Sequence, residues 1–127
     1  MRTFFILAVS LLLPSMAQAQ LTGNAASGHP VRIYYAYATN PDCSSQGQPV
    51  IKLAQAPQHG KVTISRGGVF PNFPASNIRN ACNRRRVSGL EVYYVSQRGY
   101  TGTDTAAFEV IFPDGQLRQL TVFINVR

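Results

Sequence analysis

The sequence predicts an all-β chain, an antiparallel sandwich of about seven strands, and three observations carry that expectation. Apolar residues recur at every second position in most of the chain, Gly, Pro, Asn and Asp punctuate these runs at short intervals, and no segment has a helical period or an internal repeat. Short alternating strands separated by frequent turns build two stacked antiparallel sheets.

The first 19 residues, MRTFFILAVSLLLPSMAQA, stand apart from that pattern. Arg2, an apolar run from Phe4 to Leu13, a break at Pro14 and the small residues Ala17 and Ala19 read as a secretory signal peptide cleaved before Gln20. The run is shorter than the ~20 residues a membrane-spanning helix needs. No second long apolar stretch follows, so no transmembrane segment is expected in the mature chain, which is periplasmic or secreted. Removing 19 of 127 residues leaves 108, enough for one core and one domain.

Residues 20–30, QLTGNAASGHP, are small and polar without periodicity and read as a flexible N-terminal lead before a domain over 31–127. The first strand is expected at 31–37, with Val31, Ile33, Tyr35 and Tyr37 facing inward and Arg32 and Tyr34 outward. A turn-rich loop from Thr39 to Pro49 follows. The segments 49–54 and 61–65 are expected to pair, Ile51 and Leu53 facing Val62 and Ile64, across a Pro57-Gln58-His59-Gly60 turn with Gly60 at positive φ. A weak seventh strand is expected near Val69 and Phe70, and then a long irregular insertion from Pro71 to Ser88.

The last third of the chain has the strongest alternation. Leu90, Val92 and Tyr94 share a face, with Glu91 and Tyr93 opposite. Ala106, Phe108, Val110 and Phe112 share the next, and Leu120, Val122, Ile124 and Val126 the last. A two-sheet core is expected to be assembled mainly from these three strands.

Two cysteines, Cys43 and Cys82, fall in the exported part of the chain. In an oxidising compartment such a pair forms a disulfide. Neither Cys-x-x-Cys nor His-x-His spacing links them to His29 or His59, so no metal is expected.

The segments APQHGKVTI at 56–64, VYYVSQRGYTGTDTAAFEV at 92–110 and PDG at 113–115 resemble the bacterial immunoglobulin-like and cadherin-like repeat domains of large surface proteins. Those repeats have a Pro-x-His-Gly turn, an aromatic-x-Gly-Thr-Asp corner before an alternating strand, and an Asp-Gly hairpin. The resemblance implies an Ig-like or cadherin-like sandwich in single copy, and it leaves the ligand open. Calcium, which wants six to eight oxygens, is not expected, because Asp42, Glu91, Asp104, Glu109 and Asp114 are scattered singly.

Nor is an enzyme expected. The chain has no Gly-x-Ser-x-Gly elbow, no phosphate-cradling glycine loop and no spacing that assembles a Ser-His-Asp set. Asp104, His29 and His59 read as turn residues.

The formal charge of +7, or +6 without Arg2, points instead to anionic partners. Its densest source is Arg84, Arg85 and Arg86 with Arg79 upstream, on the insertion that Cys82 would anchor to Cys43. Outward Tyr34 and Tyr93 would add an aromatic surface. The expected function is therefore an exported, non-enzymatic binding or envelope-interaction module that takes an anionic glycan, lipopolysaccharide or other polyanion, with nucleic acid bound only non-specifically. The alternative is a periplasmic inhibitor, assembly or adhesion factor that meets another exported protein at a sheet edge or loop.

Overall fold

A computed structural model describes residues 18–127, so all but the end of the expected signal peptide lies outside the described residues. The described residues form seven strands: β1 (Ala19–Ala25), β2 (Val31–Tyr37), β3 (Val50–Gln55), β4 (Gly60–Val69), β5 (Val87–Ser96), β6 (Gly102–Ile111) and β7 (Leu117–Val126). A 3-10 turn, Asn80–Arg84, lies between β4 and β5. Two sheets result, β1-β7-β6-β3 and β2-β5-β4, and every pairing is antiparallel except β1 with β7. This is an all-β sandwich.

The three strands with the clearest alternation supply most of the core. Val92 and Tyr94 from β5, Ala106 and Phe108 from β6, and Val122, Ile124 and Val126 from β7 are buried in one cluster. Val110 and Leu120 join Ala36 in a second. Each large apolar side chain withdrawn from water in this way contributes roughly 1.5–3 kcal/mol.

Elsewhere the strands depart from their local pattern. Residues 20–30 do not form a flexible lead. Gln20 to Ala25 pair in parallel with Thr121 to Val126, and Arg127 N donates to Ala25 O at 2.9 Å. Only Ala25 of β1 is buried, so backbone hydrogen bonding and not side-chain burial orders this edge strand, and apolar periodicity could not reveal it.

In β2 the register shifts between Arg32 and Tyr34. Such a bulge adds one residue to one strand and moves every later side chain to the other face. Ile33 and Tyr34 consequently both pack against the core, followed by buried Ala36. Tyr35 and Tyr37, expected inside, stack on each other with ring centroids 6.0 Å apart, and the Arg32 guanidinium lies 4.6 Å over the Tyr35 ring.

β3 and β4 do not pair with each other either. They belong to different sheets, β3 against β6 and β4 against β5, so the Pro57–Gly60 segment is an arch across the sandwich. Ile51, Val62 and Ile64 still meet the same core, whereas Leu53 on the edge strand is left 42% exposed. Gly60 does not occupy the positive-φ region. Its requirement is space, since a Cβ there would sit 2.5 Å from both Tyr94 Cε2 and Val95 O. The weak strand near Val69 is the end of β4, and β1 completes the seven.

Candidate functional site

The insertion between β4 and β5 is ordered by its own asparagines. Asn83 accepts from Phe73 N at 2.8 Å, and the side-chain amides of Asn80 and Asn83 both donate to Phe73 O. Asn77 Oδ1 accepts from Arg79 N at 2.8 Å. These local bonds replace the ladder that a strand would have supplied. The insertion folds back on the β2-β5-β4 sheet, where Val69, Cys82 and Val87 are buried and Phe73 meets Tyr37 edge-on at 5.4 Å.

Cys43 and Cys82 are bonded, with Cα atoms 5.4 Å apart, and join the β2–β3 loop to the insertion. Closing a loop of this length restricts the unfolded chain by roughly 3–4 kcal/mol in the chain-entropy account. Cys43 has φ of 69°, in the left-handed region, with its N–H donated to Asn40 O. A second tie runs beside the disulfide: Arg79 Nε donates to Thr39 O at 2.8 Å.

The four insertion arginines have different local surroundings. Arg79 lies between the two tied loops, and Arg86 extends over the Phe70 ring at 5.8 Å. Arg84 and Arg85 are exposed at the end of the 3-10 turn.

The two tyrosines also separate. Tyr93 points outward, as alternation predicts, and donates to Glu91 Oε2 at 3.0 Å, the same oxygen that Arg32 contacts at 3.0 Å. Accepting from Arg32 first and Tyr93 second lowers the Glu91 pKa, and donating to Glu91 raises that of Tyr93. Tyr34 was expected on the outer surface, but the β2 bulge carries it inward. Burial raises its pKa, opposed by the nearby charge of Arg118.

Tyr34 and Arg79 meet at a cavity of about 580 Å³ beside the edge strand β2, between the insertion and the β6–β7 hairpin. The hairpin contributes Phe112, Asp114, Gln116 and Arg118, and the Arg118 guanidinium lies 5.1 Å over the Phe112 ring. Arg118 was missed in the sequence because it reads as an ordinary polar position on an alternating strand. Only the hairpin geometry points it toward Tyr34. Among the described residues the sole ion pair is Arg32 with Glu91, so neither Arg79 nor Arg118 is neutralised by a carboxylate in contact.

Asp104, His59 and His29 do not line this cavity. Both oxygens of Asp104 accept hydrogen bonds, from Gln58 N, His59 N, Thr105 N and the Tyr94 hydroxyl. The His59 ring stacks on Tyr100 at 4.1 Å, and His29 is exposed in a turn. Among the described residues no three His, Cys, Asp or Glu side chains gather as a metal would require, and no helix is long and apolar enough to cross a membrane.

No family model matches this chain, and no curated protein does. A solved structure, the solution structure of amebosin, is similar at a TM-score of 0.42 and 12% identity, covering 88% of this chain and 100% of that one.

Proposed function

We propose that the chain is an exported, non-enzymatic binding module of immunoglobulin-like type that captures an anionic envelope component. The strand order supports the Ig-like reading. β2-β5-β4 and β3-β6-β7 divide as the B-E-D and C-F-G strands of immunoglobulin constant-type domains do, with the first strand moved beside the last. The signal-like N-terminus and the disulfide support export to an oxidising compartment, periplasmic or extracellular.

One observation carries the binding reading: the arginine-bearing insertion is held to the sandwich by both the Cys43–Cys82 bond and the Arg79–Thr39 hydrogen bond. Guanidiniums presented from a fixed frame lose less freedom on meeting phosphates or carboxylates than guanidiniums on a loose tail. The test compares wild type with the Arg84→Ala/Arg85→Ala/Arg86→Ala variant for affinity to lipopolysaccharide and acidic polysaccharide at low and moderate salt. Steep salt dependence with a sharp loss in the variant is expected. Weak, salt-insensitive binding that is equal in both proteins rejects the reading.

A protein-partner role is the second reading, and exposed apolar residues on the four-stranded sheet favour it. Val50, Ile111 and Leu117 lie in register across β3, β6 and β7, with Val50 50% and Leu117 46% exposed. An interface built there would bind without salt dependence.

A further inference from the structure

The cavity between the insertion and the β6–β7 hairpin differs from the exposed arginines in its chemistry. Arg79 from the insertion and Arg118 from the start of β7 border it. Asp114 at the hairpin tip is the one carboxylate in its lining but is not in ion-pair contact with either, so two guanidiniums outweigh one carboxylate and the net charge is positive. Gln46, Asn72 and Gln116 also border it, each with an amide that offers a donor and an acceptor side by side. Thr39 belongs to the same wall, and its Oγ1 is buried without a hydrogen-bond partner among the described residues.

The aromatic residues narrow the ligand further. Tyr37 gives one ring face to Tyr35 and meets Phe73 edge-on, while Phe112 is covered by the Arg118 guanidinium. Each of these contacts takes up part of the aromatic surface on which a nucleobase could stack. Tyr34, Tyr35 and Tyr37 in the lining bring phenol hydroxyls, and the Tyr37 hydroxyl is fixed by accepting from Asn72 N at 2.9 Å. A compact inorganic anion would use the two guanidiniums and leave the amides idle. The volume of about 580 Å³ lies within the ~300–1,000 Å³ usual for small-molecule sites.

We propose that this cavity binds a carboxylate-bearing sugar residue of an acidic glycan, Arg118 and Arg79 taking the carboxylate and the amides and phenols taking the ring hydroxyls. The inference rests on the anionic-capture reading above and assigns it a ligand class and a second site. The carboxylate accepts paired N–H bonds from a guanidinium fork, and vicinal hydroxyls pair with the side-chain amides. Arg118 then sets the preference for an acidic over a neutral sugar.

The test uses the oxidised protein titrated with trigalacturonate, maltotriose, inorganic phosphate and adenosine monophosphate, followed by amide chemical shifts and calorimetry. Trigalacturonate is expected to bind with shifts at Thr39, Asn72 and Gln116, and the other three ligands at least about tenfold more weakly, since losing a charge-assisted pair or its hydroxyl partners costs that much affinity. Arg118→Gln should weaken trigalacturonate about tenfold, with Arg118→Lys intermediate. The Arg84→Ala/Arg85→Ala/Arg86→Ala variant should bind it as wild type does. Circular dichroism confirms that each variant is folded. Absence of trigalacturonate binding to wild type, equal affinity for phosphate or the nucleotide, or indifference to Arg118→Gln each overturns the inference. If lipopolysaccharide binding is nonetheless lost in the triple variant, the broader reading stands while the cavity assignment falls. If trigalacturonate binds through Arg118 while that polymer binding is unaffected, the cavity stands and the exposed arginines are discarded.

Discussion

The hydroxyl of Tyr94 on β5 donates to Asp104 Oδ2 on β6 at 2.7 Å, and because these strands lie in different sheets the bond joins the two layers of the sandwich. The same carboxylate collects Gln58 N at 3.0 Å and His59 N at 3.1 Å, which fixes the arch carrying the chain from β3 to β4. Burial alone would raise the Asp104 pKa. Donation from Tyr94 and from three backbone N–H groups outweighs it and leaves the carboxyl below its usual range. Burial first, then hydrogen bonding to Asp104, raises the pKa of Tyr94.

Tyr94→Phe removes one charged hydrogen bond inside the core while keeping the ring. A loss of about 1.5–3 kcal/mol is expected. Asp104→Ala should cost more, because it also strands the N–H groups of the arch. Urea unfolding of both variants measures the difference, and equal stability of wild type and Tyr94→Phe would mean that the inter-sheet bond contributes nothing.

Acid should weaken the fold through Asp104. Its folded-state pKa lies below the unfolded value of about 3.9, so the unfolded chain binds the proton more readily. The contribution is present in full above that unfolded value and is lost as pH falls through the folded one. Melting temperatures followed from neutral pH into this acid range should fall in wild type, and Asp104→Asn should flatten that part of the profile. An identical acid profile in the variant contradicts the assignment.

Reduction of Cys43–Cys82, or the Cys43→Ala/Cys82→Ala double variant, should destabilise the domain by about 3 kcal/mol. The β2–β3 loop and the insertion then lose their covalent tie, so faster amide exchange at residues 72–86 is also expected. Peptide mapping without reductant should recover the linked pair from protein taken from its native compartment.

Gly60→Ala should destabilise although a positive φ is not at issue. The added methyl meets the Val95 carbonyl at 2.5 Å, and backbone cannot move aside as a flexible side chain does, so a cost of about 1–3 kcal/mol is expected. Gly99→Ala separates the two kinds of glycine: its site is open, and only its φ of 82° opposes the change. Thermal melts of the two variants give the comparison.

Intact mass of exported protein should place the N-terminus at Gln20. Cleavage there leaves Gln20 to Ala25 to pair with β7. A mature chain that begins beyond Ala25 would remove β1 altogether.

Much of the architecture was determined by the sequence itself, through local chemistry. Alternation in β5, β6 and β7 identified the buried faces that form the core, because one-sided burial imposes a period of two on any strand wherever it packs. The bond between Cys43 and Cys82 was expected from the oxidising compartment that the signal-like N-terminus implies and not from geometry. Tertiary structure alone decided the rest. β1 is ordered by parallel partners just over a hundred residues away, the bulge after Arg32 turns Tyr34 inward and Tyr35 and Tyr37 outward, and β3 and β4 pair with strands of different sheets. Arg79 and Arg118 meet at one cavity only because the disulfide-tied insertion and the β6–β7 hairpin flank the same strand edge. Backbone pairing, bulges and convergence of distant loops are properties of the closed sandwich, and they leave no period in the sequence because each depends on residues that become neighbours only after the chain has folded.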